Sequence, residues 1–324
     1  MVKSKKTTVP TTEESSSHQS IPISRCNSQG TLNVSKSKPP YNIITEYLLH
    51  SQWSNPIPMT AENMPVKVVS HAFMTVMAVP DDKTKTTIQF RLLDDTPYVL
   101  TKAFFFKAIG LSYPGDLEYV VPSQEQIKNF LQNIYYQGDE SKTHSEILKK
   151  LLPTIWESLG TTLSKCLTGR VGSSEYISRE IVEIMYGIYT GIPQDFYSTI
   201  WNGFRSYSIQ PVDKKPEVKL ARFWSLVLVD VYEDLKKAIP SQKGDEVLVV
   251  SKFQGIVKNE AQQQKFGPPF ELPEHMLNVI PEDFTVLAEY KRIVSRDTLF
   301  LRPAPFSKFG FSGAEKKPDF DIVT

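Results

Sequence analysis

Apolar residues recur at three- and four-residue steps through most of positions 41–300, the spacing that gathers them on one side of an α-helix. Trp156, Leu159, Leu163 and Cys166 form one stripe, Ile177, Ile181, Ile184 and Ile188 a second, and Ile200 with Phe204 opens a third. "KLARFWSLVLVDVYEDLKKAI" is apolar nearly all round in its middle, which predicts a long helix at the centre of the fold. "YNIITEYLLH" predicts a first short helix and "PEDFTVLAEYKRIV" a last one. Only one block has a strand period. "TIQFRLL" puts Ile88, Phe90 and Leu92 on one face at period two, and with the segment around Val68–Val79 it predicts a hairpin that needs helices packed on it.

Local punctuation agrees with this series of helices. Thr101 can cap "KAFFFKAI", with Gly110 as the stop residue in left-handed conformation. Ser123 and Gln126 make a capping box, and Pro153 suits the first turn of "TIWESLGTTLSKCL". "KGDEVLVVSKFQGIV" reads as either a short strand or a turn, and "KNEAQQQKFGPPFELPEH" as a linker. The expected architecture is a mainly α, multi-helix globular domain over residues 41–300 with a small β-hairpin near its N-terminal edge. Residues 1–40, rich in Ser, Thr, Lys and Pro, are expected to form a disordered tail, and residues 301–324 a flexible C-terminal one.

Charge adds little. The chain carries 37 basic and 36 acidic residues, a net +1, so no global field advertises nucleic acid or membrane. Residues 1–40 are locally basic, and "KSKK" at their start reads as a nuclear address or a solvated charge run. Cys26 and Cys166 allow neither a disulfide framework nor zinc spacing. No apolar run is long enough to span a bilayer, and the N-terminus is too polar for a signal peptide. The expectation is a soluble intracellular protein of the cytoplasm or nucleus.

Each string with a chemical look has a plainer explanation. "CLTGRVGSSEY" has the glycines and serines of a phosphate loop, but a P-loop needs G-x-x-x-x-G-K-[ST] after a strand. Here the predicted preceding element is a helix and the lysine is missing, so the stretch is expected to join two helices, with Gly169 ending one and Ser173 or Ser174 capping the next. Cys166 lies on an apolar stripe and reads as a buried structural thiol rather than a nucleophile. Asp94-Asp95 reads as a turn before Pro97 rather than a carboxylate dyad. His18, His50, His71, His144 and His275 show no metal-ligand spacing. Phe104-Phe105-Phe106 reads as core, since no basic residues interleave it. No catalytic residue, cofactor, metal or small-molecule substrate is inferred. Besides the locally basic N-terminal tail, the candidate contact surface for RNA or DNA is the basic loop "RSYSIQPVDKKPEVKLAR", whose Arg205, Lys214, Lys215, Lys219 and Arg222 could meet phosphates, or could simply be a solvated connection.

The order of motifs across about residues 85–290 resembles the gag-like region of plant LTR-retrotransposon polyproteins. The most specific part is L-P-x-x-W, then C-L-x-G-x-x-G, then a helix, then Tyr-x-x-Ile-Trp: Leu152, Pro153, Trp156, Cys166, Leu167, Gly169, Gly172, Tyr197, Ile200 and Trp201. Gly172-Ser173-Ser174-Glu175 stands where many such sequences have Gly-Gly, an acidic residue and Gln. A looser likeness, an F-x-L strand followed by a helix ending in Gly-Leu, is similar to the plant mobile domain of transposon-derived nuclear proteins. The gag-like resemblance implies a non-enzymatic structural role, with self-association and packaging of element RNA. The usual zinc knuckle, polymerase signature and protease motif are all missing from the chain. The second resemblance implies a nuclear factor binding chromatin or protein partners, and an unrecognised or degenerate enzyme is the third possibility.

Overall fold

The computed structural model describes residues 21–36, 41–115, 119, 121–139, 146–170, 175–238, 245–253 and 272–300. Among the described residues ten helices carry the architecture: α1 (Ile43–His50), α2 (Val66–Thr75), α3 (Lys102–Ala108), α4 (Gln124–Asn133), α5 (Thr154–Leu167), α6 (Arg179–Thr190), α7 (Phe196–Ser208), α8 (Ala221–Ala238), α9 (Glu274–Leu277) and α10 (Thr285–Phe300). Seven short strands accompany them: β1 (Gln29–Gly30), β2 (Met77–Ala78), β3 (Thr87–Arg91), β4 (Pro97–Thr101), β5 (Glu146–Leu148), β6 (Tyr176–Ser178) and β7 (Lys252–Phe253). The fold is mainly α, as the apolar periodicity predicts. Among the described residues no helix is long and apolar enough to cross a membrane.

The predicted stripes are buried. Trp156, Leu159, Leu163 and Cys166 line α5, and Ile181, Ile184 and Ile188 line α6, all within the core. The first turn of α8 lies at the centre: Phe223 and Trp224 are fully buried, and Trp224 meets Phe73, Phe90 and Phe204 at ring distances of 6.3, 5.3 and 5.0 Å. Phe105 packs on Phe204, Trp201 and Phe223, so the Phe104–Phe106 run is core. The caps also hold. Thr101 accepts from the Phe104 N–H, Ser123 and Gln126 form the reciprocal box, and Gly110 takes φ +79° after α3.

The hairpin differs from expectation. Val66–Thr75 is helix α2, because its buried residues Val66, Val69, Ala72, Phe73 and Val76 recur at three- and four-residue steps and Pro65 precedes them. Strand β3 instead takes its main partner from downstream. Asp94 accepts the Thr96 N–H at 3.0 Å, the Asp95 N–H reaches Leu92 O, and Asp95 adopts φ +61°. This turn reverses the chain into β4, pairing Ile88 with Leu100 and Phe90 with Tyr98, while β2 adds a third antiparallel strand through Met77–Gln89. The Asp94-Asp95 pair is a turn, as predicted.

Two further expectations are corrected. "CLTGRVGSSEY" does not run from helix to helix: β6 follows it, pairs antiparallel with β5, and leads into α6 through Ser178. Tyr176, Ile177 and Ser178 alternate exposed, buried and buried, too short a run for periodicity to distinguish from a helix start. Residues 173 and 174, expected as caps, lie outside the described residues. The second correction concerns the N-terminus. Residues 21–36 were assigned to a disordered tail, yet they thread through the body of the fold, with Cys26, Asn27 and Ser28 buried. Their composition is misleading because the segment is stabilised by main-chain and side-chain hydrogen bonds, which leave no apolar signature.

Candidate functional site

The most unusual arrangement in the molecule is a polar knot inside the core, and it starts from an arginine. Arg222 occupies the first turn of α8, just after Leu220, whose φ of +56° bends the chain into the helix. The neighbours Leu220, Ala221, Phe223 and Trp224 are all drawn into the core, so Arg222 is carried in with them and is only 1% exposed. A buried guanidinium needs partners for its N–H groups. Here they are all main-chain carbonyls. Nε donates to Asn27 O at 3.2 Å, Nη1 to Pro56 O and Met59 O at 2.8 Å each, and Nη2 to Cys166 O at 2.5 Å.

Among the described residues no carboxylate forms an ion pair with Arg222. The positive charge is balanced by the negative ends of four carbonyl dipoles drawn from two distant segments and the end of α5. Desolvation holds the guanidinium pKa down at about 10, so it stays protonated at neutral pH. The last of these carbonyls lies at the C-terminus of α5, where the helix dipole favours a cation.

Asn27 completes the knot. Its φ of +54° is a left-handed conformation that asparagine tolerates better than most residues. Its Oδ1 accepts the Phe223 N–H at 3.0 Å, and its Nδ2 donates to the same Cys166 O that Arg222 uses. Cys26 Sγ accepts the Leu220 N–H at 3.3 Å. The first turn of α8, whose N–H groups have no intrahelical acceptor, is thus capped by the N-terminal segment. Cys166 itself is fully buried, and burial pushes its thiol up to about 12. It is a structural thiol at neutral pH, which matches the expectation for that position.

The basic loop does not survive as a unit. Arg222 lies in the knot, and Lys215 is 4% exposed, donating to Phe73 O at 2.7 Å with its ammonium 4.9 Å from the Phe73 ring. Desolvation lowers the Lys215 pKa to about 8. Neither side chain can reach a phosphate, because each is oriented inward by a carbonyl that water does not reach. Lys219 is half-buried and pairs with Glu217, Arg205 is half-buried with its Nε enclosed, and Lys214 is exposed. A row of five cations was read from a stretch that the structure splits between interior and surface.

Other chemical-looking groups are dispersed. His50 meets Glu46 at 3.1 Å, while His275 sits across the molecule's sequence at the C-terminus of α6, its Nε2 2.8 Å from Ile188 O. A carbonyl only accepts, so Nε2 carries the proton in that bond. No cluster of three or more His, Cys, Asp or Glu residues suited to a metal occurs among the described residues. A groove of about 620 Å³ lies between α6 and α7, with Glu180, Glu183, Asp195, Ser198 and Asn202 among its lining. Among the described residues its lining holds hydroxyls and carboxylates but no histidine and no cysteine.

Sequence reasoning missed Asn27 altogether. One signal was available: Arg222 interrupts "LARFWSLVLV", a run too apolar to leave a side chain in its first turn solvated. A buried arginine must find acceptors, and the segment "RCNSQG" has the short polar residues and glycine that bring main chain close. Comparison of the chain with models of known protein families, with curated proteins and with solved structures finds no match in any of the three.

Proposed function

We propose that this chain is a non-enzymatic structural or interaction protein that works by self-association, the role that its resemblance to gag-like regions implies. The observation that carries this reading is where the reactive-looking side chains are engaged. Arg222, Lys215 and Cys166 are buried among main-chain carbonyls and aromatic rings, and Asp94 holds a turn. They stabilise the scaffold and leave it free to act through its surface. A purified full-length chain is expected to show a weight-average mass that rises with concentration in light scattering. A mass that stays at the monomer value up to high concentration would remove the self-association reading. RNA packaging is the weaker half of the proposal, since of the five candidate contacts only Lys214 is exposed. It predicts that Lys214→Glu weakens RNA retention and flattens its salt dependence by at most about one ion.

A further inference from the structure

The N-terminal segment 21–36 is held as a ligand would be held, in a groove built by the rest of the chain. Ser24 N–H donates to Val218 O and Val218 N–H to Pro22 O, at 3.0 and 2.7 Å. Ser28 N–H reaches Lys165 O at 2.9 Å, Gly30 N–H reaches Ile57 O at 3.0 Å, and the N–H groups of Gln29 and Thr31 reach Ser251 O and Phe253 O at 2.8 and 2.9 Å. β1 is therefore a strand added in parallel to β7, with Gln29 opposite Lys252 and Gly30 opposite Phe253. Side chains give the groove its selectivity. Asn27 is read by the Phe223 N–H and Cys166 O, and Arg222 Nε takes the Asn27 carbonyl. Position 30 accepts only glycine, because a Cβ there would lie 2.4 Å from Ile57 Cγ2 and 3.0 Å from Cys166 Sγ.

This recognition is addition of an extended segment to a sheet edge, with main-chain bonds for affinity and pockets for specificity. The partners lie on α5, on α8 and its approach, at Ile57 and Pro58, and in the stretch 251–253, all outside the segment they hold. Only residues 37–42 connect it to α1, six positions that include Pro39 and Pro40. Fully extended, six residues reach about 20 Å. The groove fits one sequence, and that sequence is present on every copy of the chain. Moving the segment from its own groove to that of a second copy conserves each of these contacts, so the exchange has only association entropy and the connection to overcome.

We propose that residues 21–36 are exchanged between two copies of this chain, each lying in the other's groove between α5, α8 and β7. The proposal rests on the self-association reading and names its interface. Two variants, Gln29→Cys and Lys252→Cys, test it, since these positions are paired in register across β1 and β7. The two full-length single variants are mixed, held at rising concentration, oxidised and run on a non-reducing gel. A disulfide-linked heterodimer is expected, its fraction rising about tenfold per tenfold concentration while still small, as mass action requires. The double variant Gln29→Cys/Lys252→Cys, kept dilute, must close within one chain and establishes that the two thiols meet. The pair Ser28→Cys and Ser251→Cys, whose native hydroxyls are 2.9 Å apart, repeats the test at a second point should the first fail to close. If a double variant closes while mixed single variants give no heterodimer at concentrations where scattering shows dimers, exchange is wrong and assembly uses another surface. If scattering shows only monomer throughout, both readings fall.

Discussion

Arg222 and Trp224 are two residues apart on α8, yet each anchors a different kind of interior. Around Trp224 lies an aromatic cluster of Phe73, Phe90, Phe204 and, through Phe223, Phe105. Around Arg222 lie four carbonyls, one asparagine and one cysteine. The aromatic side is stabilised by contact area, which is non-directional and adjusts when a side chain changes shape. The polar side is stabilised by directional bonds, four of them from the Arg222 guanidinium, so removing one member leaves others buried and unpaired. The difference predicts brittleness on one side of the helix and tolerance on the other.

Arg222→Met tests the brittle side most severely. It keeps much of the apolar volume but takes the guanidinium from Asn27 O, Pro56 O and Met59 O while Cys166 O keeps Asn27, so it is expected to cost about 3–5 kcal/mol, much of the stability of a domain this size. Urea unfolding of the full chain measures it, and a loss under about 1 kcal/mol would show the knot to be dispensable. Asn27→Ala comes next, with an expected loss of about 2 kcal/mol, because the Phe223 N–H loses its acceptor and Cys166 O keeps Arg222.

On the tolerant side, Phe105→Leu retains apolar character amid Phe204, Trp201 and Phe223 and is expected to cost about 1.5 kcal/mol or less. A cost equal to that of Arg222→Met would erase the contrast. The smallest effect concerns Lys215, whose pKa is lowered in the fold from the ordinary value of 10.5 to about 8. Between those values the unfolded chain binds a proton that the folded chain has released. Stability from this group therefore rises with pH over that window, and the penalty for burying the charge is felt in full below it. Comparing urea midpoints at pH 7.5 and pH 10 should show that rise in the native chain and its absence in Lys215→Met.

The same contrast explains what could be read from the sequence. Trp156, Leu159 and Leu163, the Thr101 cap and the Ser123–Gln126 box are all local patterns, built from steps of three or four residues, and each is legible. So was the central position of α8. The expected pairing of β3 with the Val68–Val79 segment holds only at Met77–Ala78, because the residues before it form α2 with apolar side chains at helical spacing, and the longer pairing with β4 lies downstream. The knot was not legible because its bonds join residues 139, 195 and 196 positions apart, across segments whose composition resembles a solvated tail on one side and a basic loop on the other. Hydrogen bonds between main chain and distant side chains leave no period to detect.

Both cysteines of the chain lie in this knot, Cys26 on the exchanged segment and Cys166 at the end of α5, and both are buried. They therefore serve as two built-in clocks. Cys26 lies on the N-terminal segment and the Cys166 thiol lies against Gly30 of the same segment, so departure of that segment uncovers both. Their alkylation rates, followed by mass spectrometry on the unaltered protein, report how often the segment departs while the body of the molecule stays folded.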